Sequence, residues 1–293
     1  MQKYKRRLGD RYDGRRVRGM DPIFKLIPNV MRSRLDCQVH FEDKIDLEPL
    51  EKFVHAKRRE DFPTLSVMNV LIAAVVRTLS QRPNLNRFVA GNKIYARNSI
   101  AVSMAIKKEM PTHGEETTIT PHFDPEDTLY EVTEKINKIL AENKTKEAEN
   151  KTDVTAKIIA KCPNFVIRWL VTWMRNLDKI GMMPKFFYEV SPFHCSVFIT
   201  DVGSIGIGPV YHHLYEFGTC SVFLSIGKKE KMLALDDEKN VVQKRYIGIR
   251  FVIDERITDG FYNAGSIKVL LRHLRNPEML LTPPEQVIED DMR

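Results

Sequence analysis

The chain has 293 residues and a mass of 34.0 kDa, enough for one large domain or two small ones. Hydrophobic residues make up 43% of it and charged residues 29%, a composition that predicts a core-forming protein and excludes a disordered one. No stretch offers the roughly 18 apolar residues of a membrane-spanning helix, and the opening residues lack the apolar run of a signal peptide.

The first predicted segment is a basic one, residues 1–19, which accounts for most of the net charge of +7. Its acidic residues are Asp10 and Asp13, and its cationic residues are Lys3, Lys5, Arg6, Arg7, Arg11, Arg15, Arg16 and Arg18. Such a segment either binds nucleic acid, an anionic membrane or a phosphorylated ligand, or is a solvated arm or subunit contact. We favour the second interpretation and expect no nucleic-acid partner, because no nucleic-acid motif follows.

Residues 20–293 are predicted to form one domain, because no linker interrupts the alternation of strands and helices. Alternating or continuous apolar runs predict strands over residues 36–43, 93–96, 100–106, 196–200, 220–226 and 245–253. Helical spacing of apolar residues predicts helices over residues 46–57, 66–80, 127–143, 155–180 and 261–274. This order favours an α/β two-layer sandwich, a mixed sheet with helices on one face.

The four cysteines are scattered without the C-x-x-C spacing of metal sites. They are Cys37, Cys162, Cys195 and Cys220. In a chain of this length without an export signal, we expect them to be reduced and mostly buried, in a cytoplasmic protein.

Two motifs indicate a structural role more than a cofactor-binding or metal-binding role. Gly203, Gly206 and Gly208 have the order G-x-x-G-x-G and are followed by a β-like run, so they predict a turn and not a dinucleotide site. His212 and His213 are adjacent and would point to opposite faces of a strand, so we expect no metal site. One of the two remains a candidate for lining a pocket.

The most informative segment joins a buried strand to a charged turn and a helix, from Asp254 to Gly260. It resembles the junction of the dihydrolipoyl acyltransferases and chloramphenicol acetyltransferases, which carries a histidine, three residues and then Asp-Gly. Asp254, Arg256, Asp259 and Gly260 match the dihydrolipoyl acyltransferase form of this motif. Glu255 occupies the position of the histidine, which in this family is the general base that deprotonates a thiol or hydroxyl.

A second match lies at residues 197–203, which resemble the family's strand that ends in a hydroxyl residue. Thr200 retains the hydroxyl that donates to the developing oxyanion, and Asp201 stands where the family often has Asn or Ser. Residues 217–227 and 70–106 resemble further strands and the N-terminal helix, so the resemblance covers about residues 20–280. No lipoyl or subunit-binding domain is recognisable.

The resemblance implies a chloramphenicol acetyltransferase-type fold, a homotrimer with active sites between subunits, and an acyl-CoA co-substrate with no tightly bound cofactor. It assigns Glu255 as substitute base, Thr200 as oxyanion donor and Asp259 as the residue that orients the loop. His212, His213, Asp201, Arg256 and Gly260 are pocket candidates, the acceptor is an unknown small molecule, and no metal is expected. Glu255 could instead pair with an arginine, which would leave a non-catalytic trimeric binding or scaffold module.

Overall fold

A computed structural model describes residues 6–107, 116–143, 151–235 and 238–290. Its strands are β1 (Gly14–Arg16), β2 (Gln38–Asp46), β3 (Arg87–Ala90), β4 (Lys93–Arg97), β5 (Ile100–Lys107), β6 (Glu116–Ile119), β7 (His122–Phe123), β8 (Val197–Asp201), β9 (Val222–Leu235) and β10 (Val241–Asp254). Its helices are α1 (Pro22–Val30), α2 (Leu47–Glu60), α3 (Val67–Gln81), α4 (Leu129–Asn143), α5 (Lys151–Ala160), α6 (Asn164–Lys179), α7 (Lys185–Val190) and α8 (Gly260–Arg275).

The central layer is a seven-stranded mixed sheet in the order β2-β10-β9-β8-β5-β6, with β7 paired to β5. β5, β8 and β9 run parallel to one another, whereas β10 is antiparallel to both β9 and β2. The β9–β10 hairpin continues past the buried part of the sheet as an exposed arm that begins at Lys228. Every predicted strand is therefore present, and the sheet is mixed as expected.

The second layer consists of helices that cover one face of this sheet. In β9, Val222, Leu224 and Ile226 belong to the main core with α2, α3, α4 and α8, whereas Phe223 points to the other face. This alternation follows from the two-residue period of a strand. The α/β sandwich predicted from the sequence is confirmed.

The core helix α3 shows why these residues fold locally as they do. Ser66 is its N-cap, and its hydroxyl accepts a hydrogen bond from the backbone N–H of Asn69, whose side chain in turn accepts from the backbone N–H of Ser66. This reciprocal capping box satisfies N–H groups that the first turn leaves unpaired. The helix ends just before Pro83, which begins a 3₁₀ turn.

The basic segment is not a solvated arm over its described part. β1 pairs with β4 in a small second sheet, β1-β4-β3, and Val17 and Met20 lie in the main core. Arg11 is buried, bonded to Asp13 with Nε–Oδ1 at 2.8 Å, and paired through Nη2 with Asp178 of α6 at 2.5 Å. An isolated buried cation would be costly, so these carboxylates stabilise the docking of this segment.

The helix predicted over residues 155–180 is also corrected. The helix is interrupted after α5 at Cys162-Pro163, and a separate helix, α6, begins at Asn164. Proline has no N–H for the preceding turn, and its ring disfavours a helical residue before it, so a single helix could not continue there. Of the cysteines, Cys162 is half-buried and the other three are buried, as expected for most of them.

The described helices include no segment that is both long and apolar enough to cross a bilayer.

Candidate active site

The turn after β10 is anchored by a buried carboxylate. Asp254 is fully buried, and its two oxygens accept from Nε and Nη2 of Arg256 at 2.8 Å and 2.7 Å. The thiol of Cys37 lies 3.1 Å from the same carboxylate, and Arg34 places its Nε 3.8 Å away. Burial lowers the pKa of Arg34 and raises that of Cys37, which therefore stays a neutral thiol.

Arg256, a candidate for the substrate pocket, has a buried side chain that is held by the turn itself. Its guanidinium is buried against Asp254, and Nη1 donates to the carbonyl of Met31. Burial by itself would lower the pKa of Arg256. The hydrogen bonds to Asp254 and the charge of that carboxylate together outweigh burial, so the pKa is raised. Arg256 therefore supports the turn and is not free to bind substrate in this chain.

Glu255 lies between these two buried residues but takes no part in their ion pair. Its backbone N–H donates to the carbonyl of Cys37 at 2.8 Å. The side chain is half-buried and makes no hydrogen bond or ion pair with any described residue. The alternative that Glu255 pairs with an arginine is not what the described residues show, and the carboxylate is left available.

Asp259 and Gly260 lie at the start of α8. Asp259 is its N-cap, and its carboxylate accepts from the backbone N–H of Tyr262 at 2.7 Å. This contact fixes the end of the turn that carries Glu255 and stabilises the helix start. A Cβ at Gly260 would meet no described atom within contact distance, so packing inside the chain does not demand glycine there.

Thr200 lies near the C-terminal end of β8, beside Ser225 of β9. It is half-buried, and its hydroxyl has no hydrogen-bond partner among the described residues. The following turn is held by Asp201, whose carboxylate accepts from the backbone N–H of Ser204 at 3.2 Å. Gly203 is needed in this turn, because a Cβ there would collide with the backbone of Gly227.

The glycine cluster forms a turn, as predicted. A short 3₁₀ turn spans Gly203–Ile205, and Gly206 has a φ of +81°, in the left-handed region that glycine adopts without strain. No helix follows to receive a pyrophosphate, and the run after Pro209 is irregular up to β9. The β-like run expected there is therefore wrong.

His212 lies on the same face of the sheet as Thr200. Its ring stacks on Phe223 with centroids 4.1 Å apart and an interplanar angle of 3°, and Phe223 stacks on Phe198. Thr200 follows Phe198 by two residues in β8 and so shares its face. Nδ1 of His212 lies 2.8 Å from the carbonyl of His213 and donates to it, which leaves Nε2 as the acceptor nitrogen. Burial lowers the pKa of His212.

Neighbouring residues in a strand point to opposite faces, so His213 was expected to point away from His212. It does not. The rings stack at 4.5 Å, because the segment is a loop that lies over the sheet. Within the described ranges, no three His, Cys, Asp or Glu side chains are arranged to hold a metal ion.

Thr200 and Glu255 lie at opposite ends of the sheet. Thr200 is level with Ser225, which pairs with Arg250 of β10, and Glu255 is five residues further along that strand. At about 3.3 Å per residue and about 4.8 Å per strand, the two backbone positions are roughly 19 Å apart. Side chains of this size cannot close that gap, so one chain does not bring the two groups to one substrate.

A large cleft among the described residues contains neither group. Its volume is about 870 Å³, and it lies between the N-terminal segment, residues 124–126 and residues 287–290. Arg97 lines it with a buried guanidinium that bonds Tyr188 and Thr219 but leaves its Nε without a hydrogen-bond partner. Sequence reasoning did not single out Arg97, because its partners are distant in the chain.

Comparison with known proteins identifies the fold. No family model and no curated protein matches the sequence. The dihydrolipoamide acetyltransferase of Azotobacter vinelandii, investigated for the catalytic roles of a serine, a histidine and an asparagine, is 17% identical, with a TM-score of 0.57 over 87% of this chain and 88% of that one. A probable dihydrolipoamide acetyltransferase of Listeria monocytogenes is 15% identical, with a TM-score of 0.54 over 92% and 97%.

A chloramphenicol acetyltransferase is 10% identical, with a TM-score of 0.54 over 90% of this chain and 98% of that one. These identities are low, so they establish the shared architecture. The chain therefore has the fold of the dihydrolipoyl and chloramphenicol acetyltransferases, as its sequence predicted.

Proposed function

We propose that the chain is an acyltransferase whose active site forms between copies of a homotrimer. Glu255 of one copy would act as general base, and Thr200 of the next as oxyanion donor. The observation that carries this proposal is a carboxylate and a hydroxyl that have no partner among the described residues and lie at opposite ends of one sheet. The Azotobacter enzyme's histidine and asparagine are four positions apart, which is the spacing of Glu255 and Asp259.

The proposed reaction transfers an acyl group from coenzyme A to a small thiol or alcohol. Glu255 takes the proton of the acceptor as its sulfur or oxygen attacks the thioester carbonyl. The carbonyl oxygen gains negative charge, and the Thr200 hydroxyl donates a hydrogen bond to it. The intermediate then collapses, the carbon–sulfur bond to coenzyme A breaks, and the departing thiolate recovers the proton from Glu255.

A glutamate is a weaker base than the histidine it replaces. Proton transfer from a thiol of pKa about 8.5 is uphill by about 2.7 kcal/mol to a free histidine and by about 5.7 kcal/mol to a free glutamate. The difference of about 3 kcal/mol corresponds to roughly a hundredfold in rate. The proposed enzyme is therefore slow with thiols but not inactive.

The test is acetyl-CoA turnover with a panel of thiols, alcohols and amines. Thr200→Ala is expected to lower the rate by roughly 10²–10³-fold, since it removes an oxyanion donor. Glu255→Gln should remove most turnover, and Glu255→His should raise it by up to about a hundredfold. Turnover that is unchanged in Glu255→Gln would refute the role of this carboxylate. Activity found only in Glu255→His would identify a non-catalytic relative with an intact scaffold.

A further inference from the structure

Helix α6 exposes a ridge of aromatic side chains. Phe165, Trp169 and Trp173 are 74%, 65% and 41% exposed, and their four-residue spacing places them on one face. The two indole rings are nearly parallel, with centroids 6.2 Å apart and planes at 9°. Ile180, which follows the helix and is also exposed, continues the same face. Exposed apolar patches of this kind mark interaction sites.

The charged residues of α6 that flank the ridge are all positive. Arg168, Arg175 and Lys179 are exposed, share the adjacent stripe of the helix, and have no ion-pair partner among the described residues. The one acidic residue of α6, Asp178, is buried on the opposite side. The outer surface of α6 thus combines aromatic and cationic groups without an exposed acid.

The rest of the helix is fixed to the body of the protein. Asp178 accepts from Arg11 and lies 3.5 Å from Nε2 of the buried His194. Met174 is buried beside it, and the backbone of Lys179 packs against Gly91. The ridge is therefore presented by a docked helix.

We propose that α6 is a membrane-docking helix that lies flat on an anionic lipid surface. Its 16 residues give a length of about 24 Å, and the aromatic ridge runs along that length, so the helix axis would lie parallel to the bilayer. Tryptophan and phenylalanine would enter the boundary between headgroups and acyl chains, where amphipathic helices of this composition bind. Arg168, Arg175 and Lys179 would contact the lipid phosphates.

Charge argues against a second copy of the chain as the occupant. Two ridges that met face to face would bring Arg168, Arg175 and Lys179 of both copies together, and like charges in one contact are unfavourable. An anionic lipid surface instead complements the cations and accepts the aromatic rings.

The chain itself carries the probe for this proposal, because its only two tryptophans are those of the ridge. The full-length protein would be titrated with vesicles of phosphatidylcholine alone and with vesicles of equal parts phosphatidylcholine and phosphatidylglycerol. We expect the tryptophan emission to shift to shorter wavelength with the anionic vesicles, and brominated acyl chains to quench it. Added salt should weaken the binding, because it screens the phosphate contacts.

Variants assign the binding to the ridge, with co-sedimentation as the readout. Trp169→Gln is expected to weaken the partition coefficient on the order of tenfold, and Arg168→Gln by about fivefold. The matched control is Leu233→Gln, an equally exposed apolar residue on the β9 arm, which should bind like wild type. All three side chains are exposed, so folding should be preserved and is checked by circular dichroism.

Three outcomes would overturn the proposal. Emission that does not change with anionic vesicles excludes insertion of the ridge. Vesicle binding that Leu233→Gln weakens as much as Trp169→Gln places the contact elsewhere. A fall in oligomeric mass in Trp169→Gln, without any vesicle effect in wild type, would show that another copy covers the ridge.

Discussion

A site shared between copies can be tested by mixing two inactive variants. In the proposed site Thr200 and Glu255 come from different chains, because roughly 19 Å separates the two backbone positions within one chain. Thr200→Ala retains Glu255, and Glu255→Gln retains Thr200. In a cyclic trimer assembled at random from equal amounts, about one quarter of the sites would receive the intact base from one chain and the intact hydroxyl from its neighbour.

The assay is acetyl-CoA turnover after the two variants have been unfolded together and refolded, with each carrying a different affinity tag. Capture through one tag followed by detection of the other confirms that hybrids have formed. Turnover close to one quarter of wild type is expected. Hybrids that stay as inactive as either parent would refute the shared site. In that event His212, which lies on the face of Thr200 in the same chain, becomes the candidate base, and His212→Gln should then abolish the wild-type activity.

Three further predictions concern the structure that supports the site. Asp254→Asn should lower the free energy of unfolding by about 3–5 kcal/mol in urea denaturation, because it leaves two buried guanidinium groups without their counter-ion. His273 is buried and its pKa is lowered to about 4, so the unfolded chain binds a proton more readily; stability should fall as the pH drops from 6.5 towards 4, and His273→Gln should flatten that slope. Gly203→Ala should lower both the thermal midpoint and turnover, since its Cβ meets the backbone of Gly227, whereas Gly208→Ala, where a Cβ meets no described atom, should leave the midpoint nearly unchanged.

Strand and helix patterns in the sequence were sufficient to predict the sandwich. The apolar alternation in β8 and β10 is local, and it placed Thr200 and Glu255 correctly at strand ends. Whether the two residues can act together could not be predicted, because the distance between them depends on the register of β8, β9 and β10. No single segment of the sequence encodes that register. The motif resemblance identifies both residues as candidates, but the distance between Thr200 and Glu255 is set only by the folded sheet.

Two features of the folded chain were missed because they depend on contacts that the local pattern does not show. Arg11 looked like part of a solvated segment because its counter-charge, Asp178, is supplied by α6. Arg256 looked like a pocket residue because its bidentate bond to Asp254 depends on the conformation of the turn. The break at Pro163, by contrast, could have been recognised from the sequence, because proline disfavours a helical conformation in the residue before it.

The position of β10 between β2 and β9 has a consequence for folding. β2 pairs with β10 from Gln38 opposite Asp254 to Asp46 opposite Tyr246, so every contact of this pair joins residues at least 200 positions apart. Contacts of such long range slow folding, because closing a long loop costs conformational entropy before the contact is gained. During synthesis β2 and β9 would each present an open edge until β10 inserts between them, a state that is prone to aggregation. β10, which carries Asp254 and leads into Glu255, is the last strand of the sheet to be synthesised, and the hydrogen bond from Glu255 to Cys37 joins residues 218 positions apart.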